Sequence, residues 1–368
     1  MLPEIFVYPP TVYLFDDTYQ IAVPVEQPVL LWLKVGERCY YNHFAGTLRS
    51  ENAVHRFTVP QKALDEAGEY TLCWRTVVDR KPYFPESEPE RQYTLPFRSI
   101  GENPKFFHAS DVHGGVDLAI MAAKIMPDMD ALLLNGDIVN FLDREEHCMR
   151  LLKLTGIVTQ GKFPVIFARG NHDSRGRRAE LLERIIPHRE GRTYFTLRAG
   201  SFWALILDCG EDKPDSCPEY NGTVCFHLFR EAEKEFFREV VNAGEYNDPA
   251  IRHKAVIVHH PFCYKPEPPF DIEQELYADW CKQLREKIKP DIMISGHTHK
   301  PGLYLPGGAL DSYGQTWPIG IGGAPEGKHG SVFRAATYEF TEAGIRFCIV
   351  NSQCNVVEEH FIPKETVQ

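Results

Sequence analysis

The stretch ISGHTHKP, Ile294 to Pro301, delivers two imidazoles one residue apart behind a glycine, at the end of an apolar run. Side chains alternate along an extended chain, so His297 and His299 would point the same way and could serve a metal site. Ordinary polar loop residues would read the same. Four further segments repeat the pattern. FFHASDVHGG closes an apolar run with Asp111 and His113, and LLLNGDIVN closes one with Asp137. VIFARGNHD ends in Asn171, His172 and Asp173, and AVIVHHPF in His259 and His260. Singly, each has a plain explanation as a helix cap or turn residue. Jointly they place metal-capable side chains at the carboxyl ends of successive strands, where open α/β sheets build their sites. Gly114, Gly136, Gly170 and Gly296 let the backbone turn sharply beside them.

The elements that must position these residues begin near residue 105. The runs KFFHAS, ALLLNG, VIFARG, FWALILDCG, AVIVHH and IMISGH are nearly continuous in apolar residues, as buried strands are. Helical patterns at Val116–Ile125, Arg144–Thr155, Leu228–Val241 and Ile272–Ile288 lie between them. In HLFREAEKEFFREVV, for example, Leu228, Ala232, Phe236, Phe237 and Val240 recur at helical spacing. SRGRRAELLERII suggests a further helix. Together these form a layered α/β domain. The first hundred residues differ. PVLLWLKV, VHRFTV and YTLCWRTVV are short alternating runs parted by turns, with no helical period, which predicts an all-β sandwich. Leu64, Gly68 and Tyr70 resemble the tyrosine corner of immunoglobulin and fibronectin-like sandwiches. A boundary between Arg98 and Glu102 gives a sandwich over 1–99 and an α/β domain over 100–368. After residue 301, strands are expected to close a second sheet, and GIGGAPEG with His329 reads as turn chemistry rather than a phosphate loop.

Composition narrows the function. The chain has 368 residues, 43% hydrophobic, enough for two cores, and no stretch long enough to cross a membrane. A net charge of −11 without a dense basic run argues against a dedicated nucleic-acid surface. Ten cysteines without a CxxC pair suit reduced thiols, the evenly spaced Cys209, Cys217 and Cys225 included. With no export signal at MLPEIFVYPP, the expectation is a cytoplasmic protein.

The ordered set DxH, GDxxN, GNHD, HHP and GHTH resembles the calcineurin-like metallophosphoesterase superfamily, over residues 105 to about 325. The resemblance implies a four-layer α/β/β/α domain and a binuclear centre. Asp111, His113 and His299 would hold one metal, Asn171, His259 and His297 the other, and Asp137 would bridge them. Two divalent ions about 3.5–4 Å apart can fix phosphoryl oxygens around a bridging hydroxide, giving hydrolysis of a small phosphorylated substrate, monoester or diester. Imidazole, carboxylate and amide ligands suit Mn, Fe, Zn or Co.

His172 matches the family's candidate to protonate the leaving oxygen, with Asp173 orienting it or capping a helix. Asn140, His260 and Arg175 are candidates for substrate binding; of the nearby cations, Arg177 and Arg178 read better as a solvated face. An N-terminal sandwich also resembles purple acid phosphatases, but Asn140 stands where those enzymes carry a tyrosine ligand, which argues against a purple enzyme. The rival reading is a non-catalytic scaffold of the same fold, or a sandwich that docks a protein partner of unknown nature or a carbohydrate.

Overall fold

In the computed structural model, which describes residues 1–364, the strands assemble into three main sheets. The largest has ten strands. At its centre Lys105–Ala109, Ala131–Asn135 and Val165–Ala168 run parallel. The six-stranded sheet has a parallel centre of Phe202–Leu207, His253–Val258, Ile292–Ser295 and Ile319–Ile321. Alternation along the buried strands decides what each sheet packs against. Leu132 and Leu134 join Ala119, Leu151 and Leu152 of the helices Val116–Ala123 and Glu145–Thr159. Leu133 and Ile166 point the other way and meet Ile206, Ile257 and Ile294 of the six-stranded sheet. Phe226–Ala243 and Gln274–Gln283 cover that sheet's outer face, where Phe237 stacks on Trp280 at 5.7 Å. The result is the expected α/β/β/α layering. Each fully buried aliphatic or aromatic side chain contributes roughly 1.5–3 kcal/mol, so these facing residues hold the central strands of the two sheets together.

The N-terminal all-β sandwich is present, but one of its sheets is shared. Thr11–Phe15 pairs parallel with Val165–Ala168, and Thr18–Pro24 and Val54–Pro60 follow, so these three strands extend the ten-stranded sheet. The second layer contains Arg91–Pro96, Glu69–Asp79, Val29–Val35 and Arg38–Tyr41. Its inward residues Leu31, Leu33 and Leu72 belong to the same core as Leu133 and Ile206, and Phe15 stacks on Phe195 at 4.2 Å. A cut at residue 99 would strip one of its two partners from the Val165–Ala168 strand that leads into the GNHD loop.

Four local expectations are corrected. The strands after residue 301 do not all close one sheet. Gly302–Tyr304 and Ile319–Ile321 enter the six-stranded sheet, whereas Val332–Thr341, Gly344–Asn351 and Val356–Pro363 continue the ten-stranded one beside Lys105–Ala109. SRGRRAELLERII forms only a 3-10 turn at Ala179–Arg184, and Gln61–Ala67 adds a helix within the sandwich region, ended by Gly68 at φ 65°. Tyr70 does not close a local corner. Its hydroxyl donates to the Gly161 carbonyl at 2.8 Å, beyond the end of the Glu145–Thr159 helix. No helix among the described residues is long and apolar enough to cross a membrane, and all ten cysteines are free.

The Tyr70 contact is buried and joins the sandwich to the α/β layers. Tyr70→Phe leaves the Gly161 carbonyl unpaired and is expected to cost about 1–2 kcal/mol, read as a lower urea midpoint with unchanged slope.

Candidate metal centre

The five motif loops leave two different sheets. Lys105–Ala109, Ala131–Asn135 and Val165–Ala168 of the ten-stranded sheet deliver Asp111, His113, Asp137, Asn171 and His172. His253–Val258 and Ile292–Ser295 of the six-stranded sheet deliver His259, His260, His297 and His299. The site therefore straddles the seam between the sheets. Asn135 spans that seam: its amide nitrogen donates to the carbonyls of Val258, at 3.2 Å, and Ile294, at 2.9 Å. Its own carbonyl accepts from His259 Nδ1 at 2.6 Å. This contact fixes the His259 tautomer and leaves Nε2 facing Asp137 at 3.3 Å and Asp111 at 3.9 Å.

The backbone is forced to fit. Asp111, His113, Asp137, His297 and His299 all adopt positive φ, between 47° and 65°. Non-glycine residues there cost on the order of 1 kcal/mol or more each, so the surroundings must over-determine them. Much of that restraint is visible. The Asp111 amide donates to the Gly136 carbonyl and the His113 amide to the Asp137 carbonyl, both at 3.0 Å. Both carboxylate oxygens of Asp111 accept from the His297 amide at 3.0 Å. Gly296 and Gly170 supply necessary room. A Cβ on Gly296 would lie 2.6 Å from Asp111 Oδ2, and one on Gly170 would lie 2.2 Å from Asp137 Oδ1.

Four groups of ligand-capable atoms result, each with its atoms within 4.8 Å of one another. They are Asp111, His113 and His299; Asp111, Asp137 and His259; His113, Asp137 and His172; and Asp212, His260 and His297. Nε2 of His113 and Nε2 of His299 stand 3.0 Å apart, with His299 Nε2 3.3 Å from Asp111. His259 Nε2 and Asn171 Oδ1 are buried and have no hydrogen-bond partner. Converging carboxylates, facing imidazole nitrogens and a buried unpartnered amide oxygen are a donor set that fits metal cations. The electrostatics agree. Burial opposes charge on His259, yet Asp137 and Asp111 raise its pKa to about 10, so the carboxylates draw a positive charge into the cluster. Burial would likewise push the Asp137 carboxyl up, but His259, His172 and His113 hold it well below the usual range. His297 differs: burial and His259 lower it to about 3, and its Nε2 lies 4.0 Å from Asp212 while its ring packs on His260 at 4.0 Å.

Two proposed partners are placed otherwise. Asp173 does not orient His172. Its carboxylate is buried and accepts the amides of Gly170 at 3.0 Å, Asp137 at 2.9 Å and Ile138 at 3.2 Å, bracing the turn that carries Asp137. Burial and Asp137 push its pKa up to about 7. His172 is oriented instead by the Asn140 carbonyl, which accepts from Nδ1 at 2.8 Å, while Arg175 Nη1 donates to Nε2 at 3.0 Å. Asn140 also donates its amide to the His113 carbonyl at 3.3 Å. Arg175 is not a free anion receptor. It forms a two-pronged pair with Glu211, 2.6 Å for each contact, and lies 3.6 Å from Asp212. Arg169 is held by Asp208 at 2.8 Å between the rings of Phe226 and Phe229, and Arg177 and Arg178 are exposed. Asn135, Glu211 and Asp212 escaped the reading of the sequence. Only Asn135 carries a local signal, an amide closing the apolar run ALLLN.

The chain matches the calcineurin-like phosphoesterase family over residues 104–301, more than half of its length. It belongs to that family. No curated protein sequence matches it closely enough to count as a relative. Among solved structures, a purple acid phosphatase from yellow lupin (Lupinus luteus) seeds aligns with 97% of this chain and 74% of its own, at 12% identity and a TM-score of 0.57. That likeness is one of fold, and it includes the N-terminal sheets. GAP50 of Plasmodium, described as the anchor in the inner membrane complex, aligns with 72% of this chain and 90% of its own at 11% identity and a TM-score of 0.44. TT1561 of Thermus thermophilus aligns with 71% and 99% at 12% identity and a TM-score of 0.38.

The close approach at Gly296 gives a test of the cluster. Gly296→Ala displaces the Asp111 carboxylate and is expected to weaken Mn2+ binding by about tenfold or more, measured by titration calorimetry. Gly101→Ala, whose nearest neighbour would be 4.0 Å away, leaves that affinity unchanged.

Proposed function

We propose that the protein is a metal-dependent phosphoric ester hydrolase. The supporting observation is the convergence, from both sheets, of Asp111, His113, Asp137, Asn171, His259 and His299 on one seam, with five motif residues held at positive φ. Structural packing alone would not require that strain. In this reading Asp111, His113 and His299 would hold one cation, Asn171, His259 and His297 would hold a second, and Asp137 would serve both. Such a pair supplies an activated water and neutralises phosphoryl oxygens during an in-line displacement.

The chain's own groups do the remainder. Asn135 sets the register between the two halves of the site and the tautomer of His259. Asp173 braces the Asp137 turn. His172 is the proton donor to the departing oxygen, presented by the Asn140 carbonyl on Nδ1. Its Nε2 must part from Arg175 to do so. Arg175 is fastened to Glu211, so the imidazole is the partner that moves.

Two measurements test the reading. Elemental mass spectrometry is expected to find about two transition-metal ions per chain, with turnover of chromogenic phosphomonoesters or diesters in Mn, Zn, Fe or Co. Asp137→Asn should lose both metal and turnover; a metal-free, inactive wild type under every condition would favour a scaffold role. For the acid, His172→Ala should lower kcat by about a hundredfold or more for alkyl esters, whose leaving oxygen needs a proton, and by less than about tenfold for a nitrophenyl ester. Equal losses on both would remove His172 from that role.

A further inference from the structure

Beside the cluster lies a cavity of about 530 Å3 that metal and phosphate do not need. It is bounded by the segment after HHP and the segment after GHTH. Its walls carry the rings of Phe262, Tyr264, Phe270, Tyr277, Tyr304 and Tyr313. The other end is polar, where Asp212, His260 and His297 bring ligand-capable atoms within 4.8 Å. His260 Nε2 there is buried without a hydrogen-bond partner. The GHTH loop divides the two regions. His299 turns to Asp111 and His113, whereas His297, Thr298 and Lys300 line the cavity. A phosphoryl group seated at the carboxylate and histidine cluster would therefore extend its ester substituent past His297 and into the ring-lined space.

We infer that this cavity is the substrate's substituent subsite and that it takes a planar aromatic ring system, so the substrate is a phosphate ester of a ring-bearing alcohol. The inference rests on the hydrolase reading above. Size supports it, because cavities of about 300–1,000 Å3 enclose ligands much larger than a phosphate. Wall chemistry supports the ring: aromatic side chains pair with a flat guest through their faces and edges, at defined geometry. Pro266, Pro268 and Pro269 restrict the segment that carries Tyr264 and Phe270, so the wall needs little ordering when a guest arrives. Phe270 is 40% exposed, and Lys213 Nζ lies 5.5 Å from its ring centroid. An exposed ring at the mouth of an apolar cavity is explained if a guest covers it.

The test compares esters with the same leaving oxygen type, with and without a ring: benzyl against ethyl phosphate, and adenosine 5′-phosphate against ribose 5-phosphate, each also as its methyl diester. The ring-bearing member is expected to have a kcat/KM higher by about tenfold or more, and Phe270→Ala to cut that ratio by about tenfold, with Phe270→Tyr restoring it. Preference within the benzyl pair alone assigns a simple aryl group; preference within the adenosine pair assigns a hydrogen-bonding base. A ratio near one, or a ratio that Phe270→Ala leaves intact, overturns the inference. No turnover of any ester overturns the hydrolase reading instead. The subsite is then decided on the metal-free protein by saturation-transfer NMR with adenosine and benzyl alcohol. Transfer to ring protons that Phe270→Ala abolishes supports it, and absence of transfer from the wild type overturns it.

Discussion

The Asn135 side-chain amide joins the two sheets at the centre of their apolar seam, and the site depends on that joint. Hydrophobic faces fix how far apart the sheets lie, but packing tolerates small slides along the strands. The two hydrogen bonds from Asn135 to Val258 and Ile294 are directional and resist such slides. Because the same residue's carbonyl orients His259, the register of the seam and the aim of a central imidazole are set together. Asp111, accepting the His297 amide, ties the seam a second time from the opposite direction.

Around that seam the chain stores strain where it also concentrates charge. The carboxylates of Asp111 and Asp137 are buried beside several imidazoles, and five backbones there sit at positive φ. Both costs call for compensation. His259 Nε2 and Asn171 Oδ1, unpartnered beside the two carboxylates, would hold a cation whose charge would offset theirs. The N-terminal strands contribute at a distance, by completing the sheet edge from which the Asn171 loop springs.

The sequence made the motif residues visible because each closes an apolar run next to a glycine, a pattern that local spacing reveals. The layering was visible for the same reason, since the central strands are nearly continuous in apolar residues. What stayed hidden depends on pairing across long separations. Nothing in the run TVYLF announces that Thr11–Phe15 will lie parallel to a strand some 150 residues later, so the sandwich read as self-contained. Asp173 follows His172 directly, which suggested a pair; the tight turn at His172–Ser174 sends the carboxylate inward to the Asp137 turn and the imidazole outward to Asn140. Arg175 stood out as a cation beside the motif, but Glu211, which engages it, lies in a different loop with no spacing that signals the contact.

The claim beneath this account is that two cations share Asp137. Electron paramagnetic resonance of the Mn2+-loaded protein tests it most directly, because manganese ions bridged by one carboxylate couple magnetically and isolated ones do not. An exchange-coupled multiline spectrum that collapses in Asp137→Asn is the predicted result. A six-line spectrum of isolated Mn2+ at saturating metal, unchanged in Asp137→Asn, would contradict the account.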